Sequence, residues 1–249
     1  MMQDISPVSQ VTDDMKYSIE VDTVEAPVTF STLYVLDMDL KVTGEVPNIA
    51  EGEQVYSARF MGDIGYFVTF RTIDPLFSVD LSNPKNPVII GELKIPGFSE
   101  YLHPYSDELL LGIGYDVEEN HRNGVKLSMF NTSNPASVTE EEKKFLTEYE
   151  YSECMYDYNS LCIDSEKNIF GFSCHKYTNE TTYLDYVICS YDKKNGFKVH
   201  KTVSEDMMDV DTIRGTYVGD TFYTISYNKQ IVATDLNTME ELGTYQFEE

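Results

Sequence analysis

Four side chains have the types and spacing to do chemistry. In "RTIDP", Arg71 and Asp74 stand in a loop between two strand-like runs. A guanidinium and a carboxylate so placed could clamp a ligand carboxylate or a sugar. They could equally pair with one another or with a neighbouring unit, and an exposed pair of that kind contributes little. In "YLHPY", His103 lies beside Tyr101 on a run expected to be an inner strand. An imidazole there could serve as a general base or a metal ligand. The plainer reading is a histidine that hydrogen-bonds a backbone carbonyl. Arg71, Asp74, Tyr101 and His103 are the candidate ligand-binding residues. His121, His175 and His200 have no companion at ligand spacing.

Two further sets could hold a metal, and neither has the required pattern. "SEDMMDVDT" gathers Glu205, Asp206, Asp209 and Asp211, an oxygen-rich loop of the kind calcium favours. It lacks the turn glycine and strict ligand alternation of a helix-loop-helix site. The four cysteines, Cys154, Cys162, Cys174 and Cys189, form no CxxC pair. A four-thiolate zinc site needs tight knuckles, so buried free thiols are favoured over one local disulfide or a metal. No nucleophile elbow, phosphate loop, HExxH or dinucleotide turn occurs. No catalytic residue, metal or cofactor is assigned.

The bulk composition narrows the partner classes. Eighteen basic side chains against 43 acidic ones leave a formal charge of −25. Such a surface repels nucleic acid and anionic membranes. No run approaches the ~20 apolar residues of a membrane-crossing helix, and "MMQDISPVSQ" lacks the basic start and apolar stretch of a signal peptide. With 19 Tyr, 13 Phe and no Trp, beside many Val, Ile and Thr, the chain has the composition of strands that pack on both faces.

The elements that must position these residues repeat. An apolar strand closed by an acid or amide appears as "LYVLD" ending at Asp37, "LFSVD" at Asp80, "LSMFN" at Asn131, "VICSYD" at Asp192 and "IVATD" at Asp235, about 50 residues apart. Before each later copy comes a turn and another strand ("GDIGYFVTF", "SDELLLGIGY", "SEKNIFGFSCH", "GDTFYTISY"). Upstream lies one more β-rich run ("VYSARFM", "YLHPY", "MYDYNSLCI", "TIRGTYV"). A closing strand follows each copy, such as "PVIIGELKI" or "FKVHKTV". Four strands per unit make a propeller blade. The recurring Asp or Asn is expected to cap the turn after the third strand, and the Gly-Asp pairs at 62–63 and 219–220 supply hairpin turns. The charged "TEEEKK" at 139–144 reads as an edge strand that deters sheet association.

The expected fold is therefore all-β, a propeller of about five four-stranded antiparallel blades at 16–54, 55–99, 100–150, 151–206 and 207–249, after a tail at 1–15. The first blade is short of strands. Either the ring closes with five, or the chain is an open part of a larger propeller whose free edges would drive self-association.

The segment from "VYSARFMGD" to "LLGIGYD", followed by "MYDYNSLCIDSEKNIFGF" and "IRGTYVGDTFYTISYNKQIVATDLNTMEELGTYQF", closely resembles a family of secreted bacterial and archaeal proteins with a C-terminal β-propeller distantly related to WD repeats. The likeness runs over about residues 33–249. It implies a secreted or cell-surface location, and a chain corresponding to the C-terminal half of a propeller about twice as long. Where family members tend to carry a His-Lys pair after "YD", this chain has Tyr158-Asn159. The expected role is a non-catalytic binding scaffold for a protein or glycan at the cell surface. The alternative is an extracellular polysaccharide hydrolase or lyase with carboxylates at the channel mouth, which needs two acids ~5–10 Å apart.

Overall fold

The computed structural model describes residues 31–70, 74–118 and 121–247, with the side chains at 70, 74, 98, 116–118 and 121–123 outside that description. The predicted strands "YSIEVDTV", the tail at 1–15 and Arg71 lie outside the described residues. Five antiparallel sheets follow one another along the chain. The first pairs β1 (Leu33–Leu36) with β2 (Val42–Val46). The second orders β3 (Gln54–Met61), β4 (Ile64–Phe70), β5 (Asp74–Asp80) and β6 (Val88–Ile95) as a meander. The third does the same with β7 (Phe98–Ser106), β8 (Leu109–Glu118), β9 (His121–Asn131) and β10 (Thr139–Leu146). In the fourth, β11 (Tyr151–Ser152) and β12 (Cys162–Asp164) both pair with β13 (Ile169–Tyr177), which continues through β14 (Thr182–Asp192) to β15 (Gly196–Asp206). The fifth runs β16 (Ile213–Val218), β17 (Thr221–Ser226), β18 (Gln230–Asp235) and β19 (Glu241–Gln246). The second, third and fifth are four-stranded propeller blades, while among the described residues the first has two strands and the fourth five.

Burial explains why some strands read as continuous apolar runs and others alternate. Sheets in the middle of the stack have neighbours on both faces, so residues 109–115 of β8, 124–130 of β9 and 169–175 of β13 are buried without a break. The last sheet has a neighbour on one face only among the described residues. There Phe222, Thr224 and Ser226 are buried while Thr221, Tyr223 and Ile225 are half-exposed, the period-two pattern of a sheet covered on one side. Three apolar clusters fill the seams. The largest joins the second, third and fourth sheets around Tyr115, Leu127, Phe170 and Phe172. Another, around Tyr186, Ile213 and Phe222, joins the fourth to the fifth. The third, with Val46, Ile49, Phe67 and Val79, joins the first to the second.

The recurring acid or amide is a turn cap in every sheet. Asp37 accepts from the Asp39 and Lys41 amides, Asp80 from Ser82, Asn131 from Ser133, Asp192 from Lys194 and Asn195, and Asp235 from Asn237 and Thr238. Each turn between the third and fourth strands is thus closed by a side chain standing in for a backbone carbonyl. Gly62 and Gly219 take φ of 58° and 59° in their hairpins, a conformation L side chains adopt only with strain.

One segment departs from expectation. "MYDYNSLCI" reads as the one β-rich run upstream of the fourth blade's turn. Instead that run is broken: Glu153–Met155 and Tyr158–Ser160 are single 3-10 turns, and pairing resumes only at Cys162. The physical reason is capping. Ser152 accepts from the Cys154 amide and Asp157 from the Asn159 amide, and such local bonds compete with the sheet ladder.

The caps carry a pH prediction. Hydrogen bonds from Ser82, from Asn195 and from the Thr238 and Asn237 amides hold Asp80, Asp192 and Asp235 below the usual carboxylate range. A depressed carboxylate stabilises the fold above its unfolded value, near ~3.9, and that contribution is lost as pH falls further. Asp192→Asn, which keeps the acceptor but cannot ionise, is expected to lower the neutral-pH melting temperature slightly and flatten its decline in acid. Asp192→Ala is expected to lower the melting temperature throughout. Equal melting curves for Asp192→Ala and the native chain would refute the capping role.

Candidate functional site

The inner strands line one wall, and two polar clusters sit on it. The first joins the second and third blades. Arg59 on β3 reaches across to β7, where its Nε donates to the Leu102 carbonyl at 2.8 Å and a terminal nitrogen donates to the Tyr101 hydroxyl at 3.1 Å. The Tyr101 hydroxyl lies 3.0 Å from His103 Nδ1. Burial, and then the Arg59 charge, lowers the His103 pKa to about 4. The imidazole is therefore neutral near pH 7, and the tautomer with its proton on Nε2 lets Nδ1 accept a hydrogen bond from the Tyr101 hydroxyl. Burial raises the Tyr101 pKa, opposed in part by Arg59. A base with so low a pKa is poorly matched to proton transfer near neutrality.

The second cluster is built on the break in the fourth blade's inner strand. Glu153, in the first 3-10 turn, receives Arg214 of β16 at 2.8 Å, Ser173 at 2.9 Å and His175 Nε2 at 3.4 Å. Arg214 also binds Asp157 at 2.7 Å, so one guanidinium bridges both 3-10 turns and ties the fifth blade to the fourth. Burial would raise the Glu153 pKa, but the bonds from His175, Arg214 and Ser173 outweigh it and hold the carboxyl below its ordinary value. Tyr151 stacks on His175 with ring centres 4.1 Å apart, and Tyr156 stands edge-on to Tyr151 at 6.4 Å. With Asp211 and Thr212, these residues line a cavity of about 380 Å³. Tyr156 and Tyr115 bring their hydroxyls within 3.4 Å, which sets the second cluster against the third blade.

Of the sequence-predicted residues, the structure brings Tyr101 and His103 together, and the arginine beside them is Arg59. Asp74 opens β5, its backbone paired with Ile95, and its side chain and Arg71 lie outside the described residues. His175, expected to lack a companion, has Glu153 and Tyr151. His200 bonds Ser190 at 2.7 Å. The acidic loop does not converge. Glu205 is buried against Ser226, Gln230 and Lys229, Asp206 accepts from Thr181, Asp209 pairs with Lys229, and Asp211 faces the cavity. Among the described residues no three His, Cys, Asp or Glu side chains are placed to hold a metal ion. All four cysteines are free, with Cys154, Cys174 and Cys189 buried. Burial pushes the Cys154 thiol up to about 12 and that of Cys162 to about 11, which keeps them inert.

A family model described as a beta propeller domain matches residues 12–239. The chain belongs to the beta propeller domain family. An uncharacterized protein of Archaeoglobus fulgidus is 37% identical over 211 residues, 85% of this chain and 30% of its own length. Another from Methanocaldococcus jannaschii is 34% identical over 218 residues, 88% of this chain and 32% of its own. The propeller chain thus spans about a third of the length of these curated relatives. Among solved structures, the WD40 domain of Neurospora crassa Pan2 superposes with a TM-score of 0.51 at 12% identity, over 83% of this chain and 56% of that one. At that identity the likeness is one of fold.

The His103 environment is directly measurable. A depressed histidine pKa means that stability is complete above the unfolded value near ~6.5 and declines as pH falls toward the folded value, here about 4. A proton NMR titration is expected to show the His103 ring titrating near pH 4 in the folded protein. A midpoint close to 6.5 would show that Arg59 and burial do not act on it as described.

Proposed function

We propose that this propeller is a non-catalytic binding scaffold of a secreted or cell-surface protein, with a protein ligand engaged at the inner-strand face. One observation carries the reading: the two carboxylates on the broken strand, Glu153 and Asp157, are both engaged by one guanidinium. Arg214 bridges the Glu153 and Asp157 carboxylates, and Glu153 is held ionised. The hydrolase alternative requires a protonated acid opposite a second carboxylate. Glu153 and Asp157 do meet in one cavity, but Arg214 lies between them and its bond helps hold Glu153 below the ordinary carboxylate range. A set of fixed charges and exposed aromatic rings suits recognition. Fold alone does not decide function. The secreted location rests on the family resemblance. A glycan remains the second ligand class of the proposal.

The test pairs turnover with placement. Incubation with panels of extracellular polysaccharides and peptides is expected to give no products, and an antibody to the chain is expected to label intact cells. Turnover abolished by Glu153→Gln or His103→Asn would overturn the scaffold reading. Labelling only after lysis would overturn the surface placement.

Self-association is part of the proposal. The last sheet carries Val218, Tyr223, Ile225, Ile231 and Tyr245 exposed or half-exposed, and the first carries Tyr34, Leu36 and Val42 exposed. Apolar sheet faces of this kind drive association. Sedimentation equilibrium is expected to show a mass that rises with concentration and falls back when Ile225 and Ile231 are replaced by Lys. A single monomer mass up to high concentration would exclude it.

A further inference from the structure

The cavity on the broken inner strand has its arginine engaged and several acceptors open. Both terminal nitrogens of Arg214 are engaged by Glu153 and Asp157. His175 is 4% exposed, its Nε2 faces Glu153, and its Nδ1 is buried without a partner. In the neutral imidazole with its proton on Nε2, directed to the carboxylate, Nδ1 presents a lone pair. Thr212 Oγ1, on the same wall, is likewise buried and unpartnered. Asp211 at the rim is exposed and makes no ion pair or hydrogen bond among the described residues. Buried polar atoms without partners are uncommon, and each calls for an explanation.

Glu153, Asp157 and Asp211 against Arg214 leave an excess of negative charge in the cavity. Tyr156 also lines it, 71% exposed. The complementary ligand is positively charged, rich in donors, without acceptors, and able to lie on an aromatic face. A guanidinium meets every one of these conditions. It is planar, carries five N–H donors, and forks onto a carboxylate while stacking on a ring. An ammonium shares the charge but lacks the plane.

We propose that this cavity receives an arginine side chain of the bound protein partner, with the guanidinium on the Tyr156 ring, its fork on Asp211, and its inner edge supplying, directly or through one water, the donor that His175 Nδ1 lacks. This rests on the scaffold reading for the identity of the partner, but not for the chemistry of the pocket.

The experiment is an amide-resolved NMR titration of the whole chain with N-acetylarginine methylamide, a side-chain mimic without backbone charge. Saturable shifts are expected at Tyr156, Asp211 and Thr212, at millimolar concentrations typical of a single side chain. The neutral citrulline analogue is expected not to saturate, and the lysine analogue to bind more weakly. Asp211→Asn and Tyr156→Ala, both at exposed positions, are each expected to weaken binding by at least about threefold, and Tyr156→Phe to retain it. Absence of saturation, equal binding of citrulline, equal binding of lysine, or indifference to both weakening variants would each overturn the proposal. A protein partner whose affinity ignores Asp211→Asn and Tyr156→Ala would also overturn it while leaving the scaffold reading standing. Arginine binding by a chain that engages no protein would uphold the pocket and sink the scaffold.

Discussion

A blade cannot exist alone, because its sheet is apolar on both faces and each face needs a neighbour. The rest of the structure depends on that constraint. Residues 109–115 of β8 and 169–175 of β13 are buried throughout, which is possible only where sheets stand on both sides. The seams are then fixed by cations, of which this acidic chain has few. Arg59 crosses from the second blade to a carbonyl of the third, and Arg214 and Lys229 cross from the fifth to carboxylates of the fourth. Lys126, only 2% exposed, binds the Pro96 carbonyl between the second and third blades and Glu140 on the fourth strand of its own. Apolar packing holds the sheets face to face without fixing their register, whereas these directional bonds do fix it. Breaking one would leave a half-buried charge behind, so they specify the arrangement more than they add to stability.

What the sequence made legible was what is local. The closing Asp or Asn of each third strand acts on amides two to four residues on, and all five do as their type and place imply. The hairpin glycines and the edge-strand charges of β10 are of the same kind. Strand composition and spacing dictate them without reference to the rest of the molecule.

The site was less legible because its bonds are long-range. "MYDYNSLCI" has the tyrosines, cysteine and isoleucine of a strand, and only Ser152 and Asp157, as caps of two short turns, mark the break. His175 gains Glu153 because β11 pairs with β13, a ladder that no spacing rule reveals. Arg214 was hidden inside a good strand pattern. A signal was nonetheless present: four arginines face 43 carboxylates, so each arginine in a strand is apt to be claimed, and finding its partner is the question to ask first.

Repetition itself separates structure from function in such a chain. A feature present in every blade answers a need that every blade has, and the third-strand cap is such a feature. The break in the inner strand occurs in one blade, where β11 and β12 share what is elsewhere a single strand. Two ladder positions are given up there, and a sheet edge is interrupted beside buried groups that lack partners. Among the described residues this break gathers charged and aromatic side chains beside buried groups without partners, and such a local exception is where the proposed binding site is placed.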